Sequence, residues 1–368
     1  MSNPSAAAAT GASSPSTIRS VVVTAPGEIG LVRRETPLRR DDEVLIRPVV
    51  VGICGTDLDI IDGTIDPEFV RYPLTLGHEW SGVIVETADR APSTQTSDEP
   101  LSAGDRVVVE GIVPCGQCAP CKAGATNRCE NYDEFGFTRH GAMGELVAAP
   151  EHLVHRLASH VSMESGVLVE PAAVVIRGLM RILPLPGERV LVIGDGTVAL
   201  LAATIMQLWS PGQVTMLGQR ADQSQLASAA GVTTFLTDAE LVGHDFDIVI
   251  EAAGAAAAVA TALSSVARGG RVVLLGFPGH GVSVPVTIDD IVNGDITISG
   301  SFGYTSSAWG QIVALLNSGR LDLGFLVTHR FPLERFDEGV STLRSSLGVR
   351  GKILIDVATP TMNPATAS

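Results

Sequence analysis

The sequence predicts an α/β protein in which a β-rich domain precedes a doubly wound parallel sheet. The pattern changes along the chain: β-branched runs bounded by Gly, Pro or Asp dominate before residue 170, and strands alternate with helix-length apolar stretches after it. A glycine-rich turn, Gly194-Asp195-Gly196, follows one of these later strands and opens a helix. The composition, 45 % hydrophobic and 18 % charged over 368 residues, suits a globular chain with a substantial core.

The residue pattern in the first part of the chain predicts strands separated by turns. Its β-branched runs cover residues 21–23, 43–52, 82–86 and 106–110. Few segments there have helical periodicity. We expect an irregular β-rich domain over residues 18–172, preceded by a disordered Ala/Ser/Pro-rich tail over residues 1–17 and containing a surface loop at residues 91–100.

The second part alternates strands and helices. Strands are predicted at residues 189–194, 214–217, 247–250, 271–276 and 296–302, and helices at residues 172–183 and 197–208. Alternation of this length implies a parallel sheet over residues 173–305. Residues 306–357, with a strand at 352–355, are expected to return to the first domain, and residues 358–368 to form a second disordered tail.

Charge and hydropathy exclude several classes of function. The net charge is −15 and no basic run is present, which argues against a nucleic-acid partner. No apolar run reaches the roughly 18 residues of a membrane helix. The first residues show no basic and apolar leader, so we expect no membrane association and a cytoplasmic location.

Four of the five cysteines lie in one short window and predict a structural zinc site. Cys115, Cys118, Cys121 and Cys129 follow the spacing C-x2-C-x2-C-x7-C. Tetrahedral zinc binds four thiolates at about 2.3 Å, and such short intervals let one loop supply them. The alternatives are a disulfide pair or chance clustering; without a leader peptide, disulfides are disfavoured.

The remaining cysteine suggests a second, catalytic zinc. Cys54, His78 and Glu170 could supply three ligands and leave a fourth position open for substrate or water. Glu79, beside His78, could ligate directly or support the ligands. The alternative is that Cys54 is a small buried hydrophobe and His78 an ordinary core residue.

The glycine-rich turn predicts a dinucleotide site. Gly194 allows the tight turn, Gly196 lets a pyrophosphate approach the backbone, and Ala199 permits close packing of helix on strand. Thr197 opens the helix whose N-terminus faces the phosphates. An ordinary glycine-rich turn between strand and helix is the alternative.

The end of the following strand favours NADP over NAD. NAD enzymes of this type place an acidic residue there to hold the ribose 2′-hydroxyl. This sequence has Gly218, and Arg220 could pair with a 2′-phosphate. Alternatively, Arg220 is only solvated.

Taken together, these residues resemble the zinc-dependent medium-chain dehydrogenase/reductase family, in the branch of polyol, sugar and threonine dehydrogenases. The resemblance covers roughly residues 18–357. It rests on motifs in the family's order: Gly52-Ile53-Cys54-Gly55-Thr56-Asp57, Gly77-His78-Glu79, Gly104-Asp105-Arg106-Val107, the four-cysteine loop, Glu170-Pro171 and the glycine-rich turn.

The resemblance implies a GroES-like catalytic domain, a Rossmann domain and a cleft between them. It also implies that Cys54, His78 and Glu170 are zinc ligands, with Glu79 as an alternate. Thr56 would relay the alcohol proton and Asp57 would orient the His78 ring, as a carboxylate beside a ligating histidine usually does.

Two positions depart from that pattern: Gly218, which replaces the NAD-selecting acid, and Asp59. Relatives often carry His two residues after the cysteine motif, where this sequence has Asp59. A carboxyl group with a reference pKa of about 3.9 is poorly matched to proton relay near neutral pH. Asp59 is therefore the candidate, but atypical, outer end of the relay.

The sequence thus predicts a zinc-dependent NAD(P)-linked alcohol dehydrogenase with two zinc ions per subunit. Zinc would lower the pKa of the substrate oxygen, and hydride would pass between the carbinol carbon and the nicotinamide. A polyol, sugar, aminocyclitol or hydroxy-amino acid is the expected substrate, and the protein is expected to be a homodimer or homotetramer. The rivals are a non-catalytic binding protein and a zinc-free relative of the quinone reductases.

Overall fold

The structure is a computed structural model that describes residues 15–89, 100–279, 281–345 and 347–357. The predicted tail at residues 358–368 lies outside the described residues, as do residues 91–99 of the predicted surface loop. The predicted tail at residues 1–17 lies outside them up to residue 14. Its last residue, Thr17, already belongs to a strand, so that boundary was placed too late.

The N-terminal region is rich in strands, as predicted. Its described strands are β1 (Thr17–Ala25), β2 (Glu28–Glu35), β3 (Glu43–Ile53), β4 (Leu74–Thr75), β5 (Trp80–Glu86), β6 (Arg106–Val109), β7 (Ile112–Val113), β8 (Asp133–Glu134), β9 (Val147–Pro150) and β10 (Val154–Arg156). Its helices are short: α1 (Gly55–Asp62), α2 (Ala119–Lys122) and α3 (Met163–Val167).

The second region alternates strands and helices. Its elements are α4 (Val169–Ile182), β11 (Arg189–Ile193), α5 (Thr197–Met206), β12 (Gln213–Leu217), α6 (Ser224–Ala229), β13 (Thr234–Leu236), β14 (Phe246–Glu251), α7 (Ala256–Ser265), β15 (Val266–Leu274), α8 (Ile288–Gly294), β16 (Thr297–Gly300) and α9 (Ser306–Asn317). The chain then forms β17 (Val327–Pro332), α10 (Phe336–Arg344) and β18 (Lys352–Asp356).

The second region forms one parallel sheet with the strand order β13-β12-β11-β14-β15-β16. Apolar side chains fill both faces of its central strands; Val190, Leu191 and Val192 of β11 are fully buried. The strand order reverses between β11 and β14, and ligands of such sheets bind in the crevice at that point. The sheet therefore places the glycine-rich turn, directly after β11, at this crevice.

The C-terminal residues join the N-terminal region. β18 lies between β3 and β17, antiparallel to β3 and parallel to β17. The register sets Ile353 opposite Ile53, so the start of β18 lies beside Cys54. The fold is thus a β-rich domain combined with a doubly wound parallel sheet, as the sequence predicts.

Helix α4 begins earlier than the sequence suggests. A helix was expected after Glu170-Pro171, yet it starts at Val169, because proline is compatible with the first turn, where its missing N–H has no intrahelical acceptor. Glu170 consequently projects from a helical first turn. Among the described helices, none combines the length and apolarity that crossing a bilayer requires.

Candidate zinc and cofactor site

Cys54 caps helix α1 and is held there from both sides. Its Sγ accepts a hydrogen bond from the Thr56 N–H at 3.3 Å, and its own N–H donates to Asp57 Oδ2 at 2.9 Å. The local fold therefore holds the Cys54 sulfur at the start of α1, in a position from which it can ligate a metal.

His78 lies against Cys54. Its Nε2 is 3.2 Å from Cys54 Sγ, and its ring is only 5 % exposed and packs on Phe137 with ring centroids 5.1 Å apart. The preceding Gly77 has φ of +99°, and a Cβ there would collide with Val51 and the Met143 backbone. Gly77 thus permits the close approach that brings His78 to the thiolate.

Asp57 lies on the other side of the His78 ring. Asp57 Oδ1 and His78 Nδ1 are 3.6 Å apart; both atoms are buried and neither has a hydrogen-bond partner. Burial raises the pKa of Asp57. Burial also works to lower the pKa of His78, but the charges of Cys54 and Asp57 outweigh it and the pKa lies well above the usual value. These surroundings favour a positive charge on the His78 ring or directly beside it.

Two overlapping groups of ligand atoms share His78. Cys54, Asp57 and His78 each offer an atom within 4.8 Å of the others, and His78, Glu79 and Glu170 form a second such group. Burial raises the pKa of Glu170 to about 8, and the charge of Glu79 adds to this effect. All four predicted zinc ligands therefore meet in one place, although Cys54 and Glu170 fall in different groups.

Lys352 is a member of this site that sequence reasoning missed. Its Nζ forms an ion pair with Glu79 Oε2, and both side chains are 2 % exposed. Burial lowers the pKa of Lys352, but the charges of Glu79 and Cys54 outweigh it and the net shift is upward. Lys352 was identified only as the start of a strand; its pairing depends on β18 lying beside β3, which no local pattern shows.

Glu134 is a second residue that was missed. It pairs with Ile112 across β7 and β8, and its neighbour Gly136 packs on the backbone of Gly77 and His78. Within the described part of the chain, only its backbone makes hydrogen bonds, so the carboxylate has no protein donor. Burial raises its pKa to about 7, against the lowering effect of His78. A carboxyl group with no donor among the described residues thus stands near His78.

The two predicted relay residues are placed differently. Thr56 is half-buried and its N–H binds Cys54 Sγ, so its side chain starts beside the metal ligands. Asp59 is exposed one turn further along α1, where its Oδ1 accepts a hydrogen bond from the Thr64 hydroxyl at 3.1 Å. The structure brings Thr56, but not Asp59, to the buried cluster.

These residues fit a zinc ion. Soft thiolate, imidazole and carboxylate donors converge, and the orphaned His78 Nδ1 has a carboxylate to orient it. The cluster contains several acidic side chains, and Lys352 forms an ion pair with one of them, Glu79. A bound divalent cation would compensate the excess negative charge.

The four-cysteine loop also fits zinc. All four thiols are free, and their Sγ atoms lie within 4.8 Å of one another. The Sγ atoms of Cys118 and Cys129 are 3.9 Å apart, near the roughly 3.8 Å that a tetrahedron with 2.3 Å zinc–sulfur bonds requires. N–H groups of Gln117 and Cys118 lower the pKa of Cys115 to about 6. The spacing is that of a metal site, since a disulfide would bring two sulfurs to about 2 Å.

The glycine-rich turn has the form that a pyrophosphate requires. Gly194 has φ of +119°, and a Cβ there would meet the backbone of residues 252 and 253. Gly196 caps α5, and a Cβ there would meet nothing within 4 Å, so its outer side is open. Ala199 is fully buried against the sheet. The Thr197 hydroxyl donates to Gly351 O at 3.2 Å, so that side chain is engaged within the protein.

The interpretation of Gly218 and Arg220 needs correction. No carboxylate was expected at the end of β12, yet Asp195, from the glycine-rich turn, places its own carboxylate there. Asp195 Oδ1 accepts a hydrogen bond from Arg220 Nη2 at 2.8 Å, so Arg220 is neither free nor only solvated. The sequence contained Asp195 within the motif, but only the folded turn shows where its side chain lies.

Two family profiles match the chain. The alcohol dehydrogenase GroES-like domain matches residues 40–159, and the zinc-binding dehydrogenase domain matches residues 196–318. The first contains strands β3, β5, β6, β9 and β10, together with Cys54 and His78. The second contains strands β12 to β16 of the parallel sheet, and it begins at Gly196, just after β11 and Gly194.

Individual relatives align over most of the chain. An L-threonine 3-dehydrogenase of Streptomyces avermitilis is 32 % identical over 328 residues, covering 85 % of this chain and 92 % of that protein. D-arabinitol dehydrogenase 1 of Uromyces fabae is 29 % identical, covering 87 % and 92 %. The crystal structure of galactitol-1-phosphate dehydrogenase from Escherichia coli superposes with a TM-score of 0.80 at 26 % identity, covering 92 % of this chain and 99 % of that one.

Proposed function

This chain belongs to the family of zinc-dependent medium-chain alcohol dehydrogenases, and we propose that it transfers hydride between a nicotinamide cofactor and the carbinol carbon of a polyol, sugar, aminocyclitol or similar secondary alcohol. The observation that carries the proposal is the convergence of Cys54 and His78, 3.2 Å apart, with Glu79 and Glu170 around the same imidazole. When bound, zinc supplies the Lewis acidity that lowers the pKa of an alcohol, and the nicotinamide supplies the hydride acceptor.

The side chains of this chain divide the remaining work. Cys54, His78 and Glu170 would hold the metal, and Asp57 would fix the orientation of the His78 ring. Thr56, beside Cys54, takes the alcohol proton toward solvent. Lys352 neutralises Glu79 and keeps that carboxylate available as an alternate ligand. The presence of this ligand set disfavours a zinc-free relative of the quinone reductases.

Glu134 supports a substrate with polar groups beside the reacting carbon. Its carboxyl group is partly exposed, lacks a protein donor among the described residues and stands near His78. A substrate hydroxyl or ammonium that donates to this carboxyl group would form a hydrogen bond that no protein group provides. This favours polyols, sugars and amino-alcohols over simple apolar alcohols.

The cofactor is proposed to be NADP or NAD, with NADP used at least as well. Gly218 supplies no carboxylate of its own, and the Nη1 of Arg220 is buried without a partner. A 2′-phosphate would provide an acceptor for that donor.

The test is a screen of polyols, sugars and hydroxy-amino acids with NAD⁺ and NADP⁺, following nicotinamide absorbance. We expect turnover of a hydroxyl-rich secondary alcohol by the zinc-loaded protein. Glu134→Gln should raise KM for an amino-alcohol by roughly 10- to 150-fold, the value of one charge-assisted hydrogen bond, and less for a polyol, since glutamine still accepts a hydrogen bond. Turnover of simple apolar alcohols alone, unaffected by Glu134→Gln, would contradict the substrate class.

A further inference from the structure

Asp195 occupies the end of strand β12 although it belongs to the turn after β11. Its Oδ2 accepts hydrogen bonds from the backbone N–H groups of Gln219 and Arg220, both at 2.9 Å. Its Oδ1 accepts from Arg220 Nη2 at 2.8 Å, and that same nitrogen also donates to the Asp195 carbonyl oxygen at 3.0 Å. Both side chains are 12 % exposed. This is a nearly buried ion pair at the position where the adenosine ribose of a dinucleotide is held.

The absence of a side chain at residue 218 makes this arrangement possible. A Cβ on Gly218 would lie 2.8 Å from Asp195 Cβ, 2.9 Å from Asp195 Oδ2 and 2.7 Å from Phe235 Cζ. Atoms of Asp195 therefore fill the space in which a strand-end acidic side chain would begin. The carboxylate missing from the strand end is supplied by the phosphate-binding turn.

Arg220 retains one unused donor. Asp195 engages Nη2 and approaches Nε at 3.4 Å, whereas the buried Nη1 has no partner. A second guanidinium, that of Arg350, has its pKa lowered by burial and lies close enough for the charge of Arg220 to contribute to this lowering. Arg350 donates hydrogen bonds to carbonyl groups at the end of α10. The site thus contains a neutralised arginine with a free N–H and a carboxylate acceptor beside it.

We infer that Asp195 is the specificity-determining residue that balances NAD against NADP, by neutralising Arg220 and by supplying the carboxylate that Gly218 lacks. The inference rests on the proposed cofactor class and assigns a role to a residue of the turn itself. A ribose 2′-hydroxyl can donate to the Asp195 carboxylate, whereas a 2′-phosphate is repelled by it and attracted by Arg220. Asp195 therefore keeps NAD usable in a site whose arginine favours NADP.

The direction of the effect follows from charge. The substitution Asp195→Asn keeps an oxygen that accepts the two backbone N–H groups but leaves Arg220 with its full positive charge. Affinity for a 2′-phosphate should then rise, and affinity for a free 2′-hydroxyl should fall. The substitution Arg220→Ala removes the donor, so adding Asp195→Asn to it should have little further effect on phosphate binding.

The experiment measures binding of 2′,5′-ADP and 5′-AMP by calorimetry to the full-length zinc-loaded protein, independently of turnover. The proteins are wild type, Asp195→Asn, Arg220→Ala and the double variant. Asp238→Asn, which neutralises an exposed carboxylate after β13 of the same sheet, is the matched control. Asp195→Ser provides a second neutral acceptor if Asp195→Asn lowers the melting temperature.

We expect Asp195→Asn to shift the affinity ratio toward 2′,5′-ADP by about tenfold or more, the range of one charge-assisted hydrogen bond. Arg220→Ala should weaken 2′,5′-ADP selectively, and the Asp195→Asn shift should largely disappear in the double variant. An unchanged ratio in both neutral variants, or a shift toward 5′-AMP, would overturn the inference; the proposed dehydrogenase activity is tested separately by turnover of the wild type. Binding of neither nucleotide to wild type, with no turnover on NAD or NADP, would overturn the inference and the proposed function together.

Discussion

Thr56 connects the buried metal ligands to the half-exposed surface of helix α1. Its backbone N–H donates a hydrogen bond to Cys54 Sγ. This contact holds the residue beside the predicted ligands and does not depend on its side-chain hydroxyl. Thr56→Val keeps the β-branched shape and this N–H, and removes only the hydroxyl. We expect the rate of alcohol oxidation to fall by about 10²- to 10⁴-fold, the usual contribution of a positioned proton-transfer group. The measurement is kcat together with zinc content, which should be unchanged; near-native turnover would remove Thr56 from the relay.

Lys352 and Glu79 form a pair in which each partner depends on the other. Lys352→Met should lower stability by about 3–5 kcal/mol, because removing one partner of a buried ion pair leaves the other charge uncompensated. Adding Glu79→Gln to Lys352→Met should recover much of that loss. Denaturant unfolding of wild type, both single variants and the double variant gives the coupling free energy between the two side chains. Strictly additive effects would show that the pair is not energetically linked.

Glu134 should make stability depend on pH. Burial raises its pKa from 4.5 in the unfolded chain to about 7 in the native state. The native state therefore binds the extra proton between these values, and stability falls as pH rises through this window. Glu134→Gln cannot ionise, so from pH 5 to pH 8 wild type should lose on the order of 1–3 kcal/mol relative to the variant.

Melting temperatures of the two zinc-loaded proteins at the two pH values test this expectation. Glu130→Gln, which changes an exposed acid of the same loop region, is the control and should show no such shift. A gap between wild type and Glu134→Gln that does not change with pH would mean that the Glu134 carboxyl is well solvated.

Helix α1, which Cys54 caps, and the four-cysteine loop differ in how far their folded structure depends on a bound metal. Cys54 caps α1, and serine is itself a good N-cap, so Cys54→Ser should preserve the helix while removing a soft ligand. The loop of Cys118 contains only the four-residue helix α2 and a short 3₁₀ turn. Such a segment has little packing of its own, and a structural metal contributes folding energy directly.

We therefore expect Cys54→Ser to abolish turnover with a near-native melting temperature. Cys118→Ser should lower the melting temperature or the soluble yield. Thermal melting and activity of the two zinc-supplemented proteins provide the comparison. If both variants lost activity only by unfolding, the division between catalytic and structural sites would be wrong.

Strands and helices with strong local patterns were predictable. The apolar runs of β3, β11 and β14 are long enough to indicate buried strands without any tertiary information. β13 was not predicted, because Thr234–Leu236 is a short, half-buried strand at the sheet edge with no apolar alternation. Lys352, Glu134 and Asp195 were missed for a different reason: each reaches its place in the site through strand pairing or a turn geometry that residue spacing does not encode.

The metal content of the whole molecule depends on both predicted zinc sites. Two complete ligand sets predict two zinc ions per chain, one for Cys115, Cys118, Cys121 and Cys129 and one for the cluster around His78. Metal analysis of freshly purified protein should return a ratio near two, falling toward one in Cys54→Ser. A ratio of one in wild type, with all four loop thiols open to alkylation, would eliminate the structural site. The domain boundaries, the cytoplasmic location and the homodimeric or homotetrameric state stay predictions.

The position of β18 in the N-terminal sheet has a consequence for biosynthesis. Lys352 hydrogen-bonds with Ile53 O across 299 positions of sequence, so at about 5–20 residues per second a ribosome takes roughly 15–60 s to deliver the second residue after the first. Once Cys129 has been made, the four-cysteine loop can bind zinc, whereas until Lys352 is made Glu79 lacks its cationic partner and β3 lacks its neighbour β18. Metal loading of the nascent chain should therefore be ordered in time, with the structural ion bound first and the catalytic pocket closing only after β18 has been made.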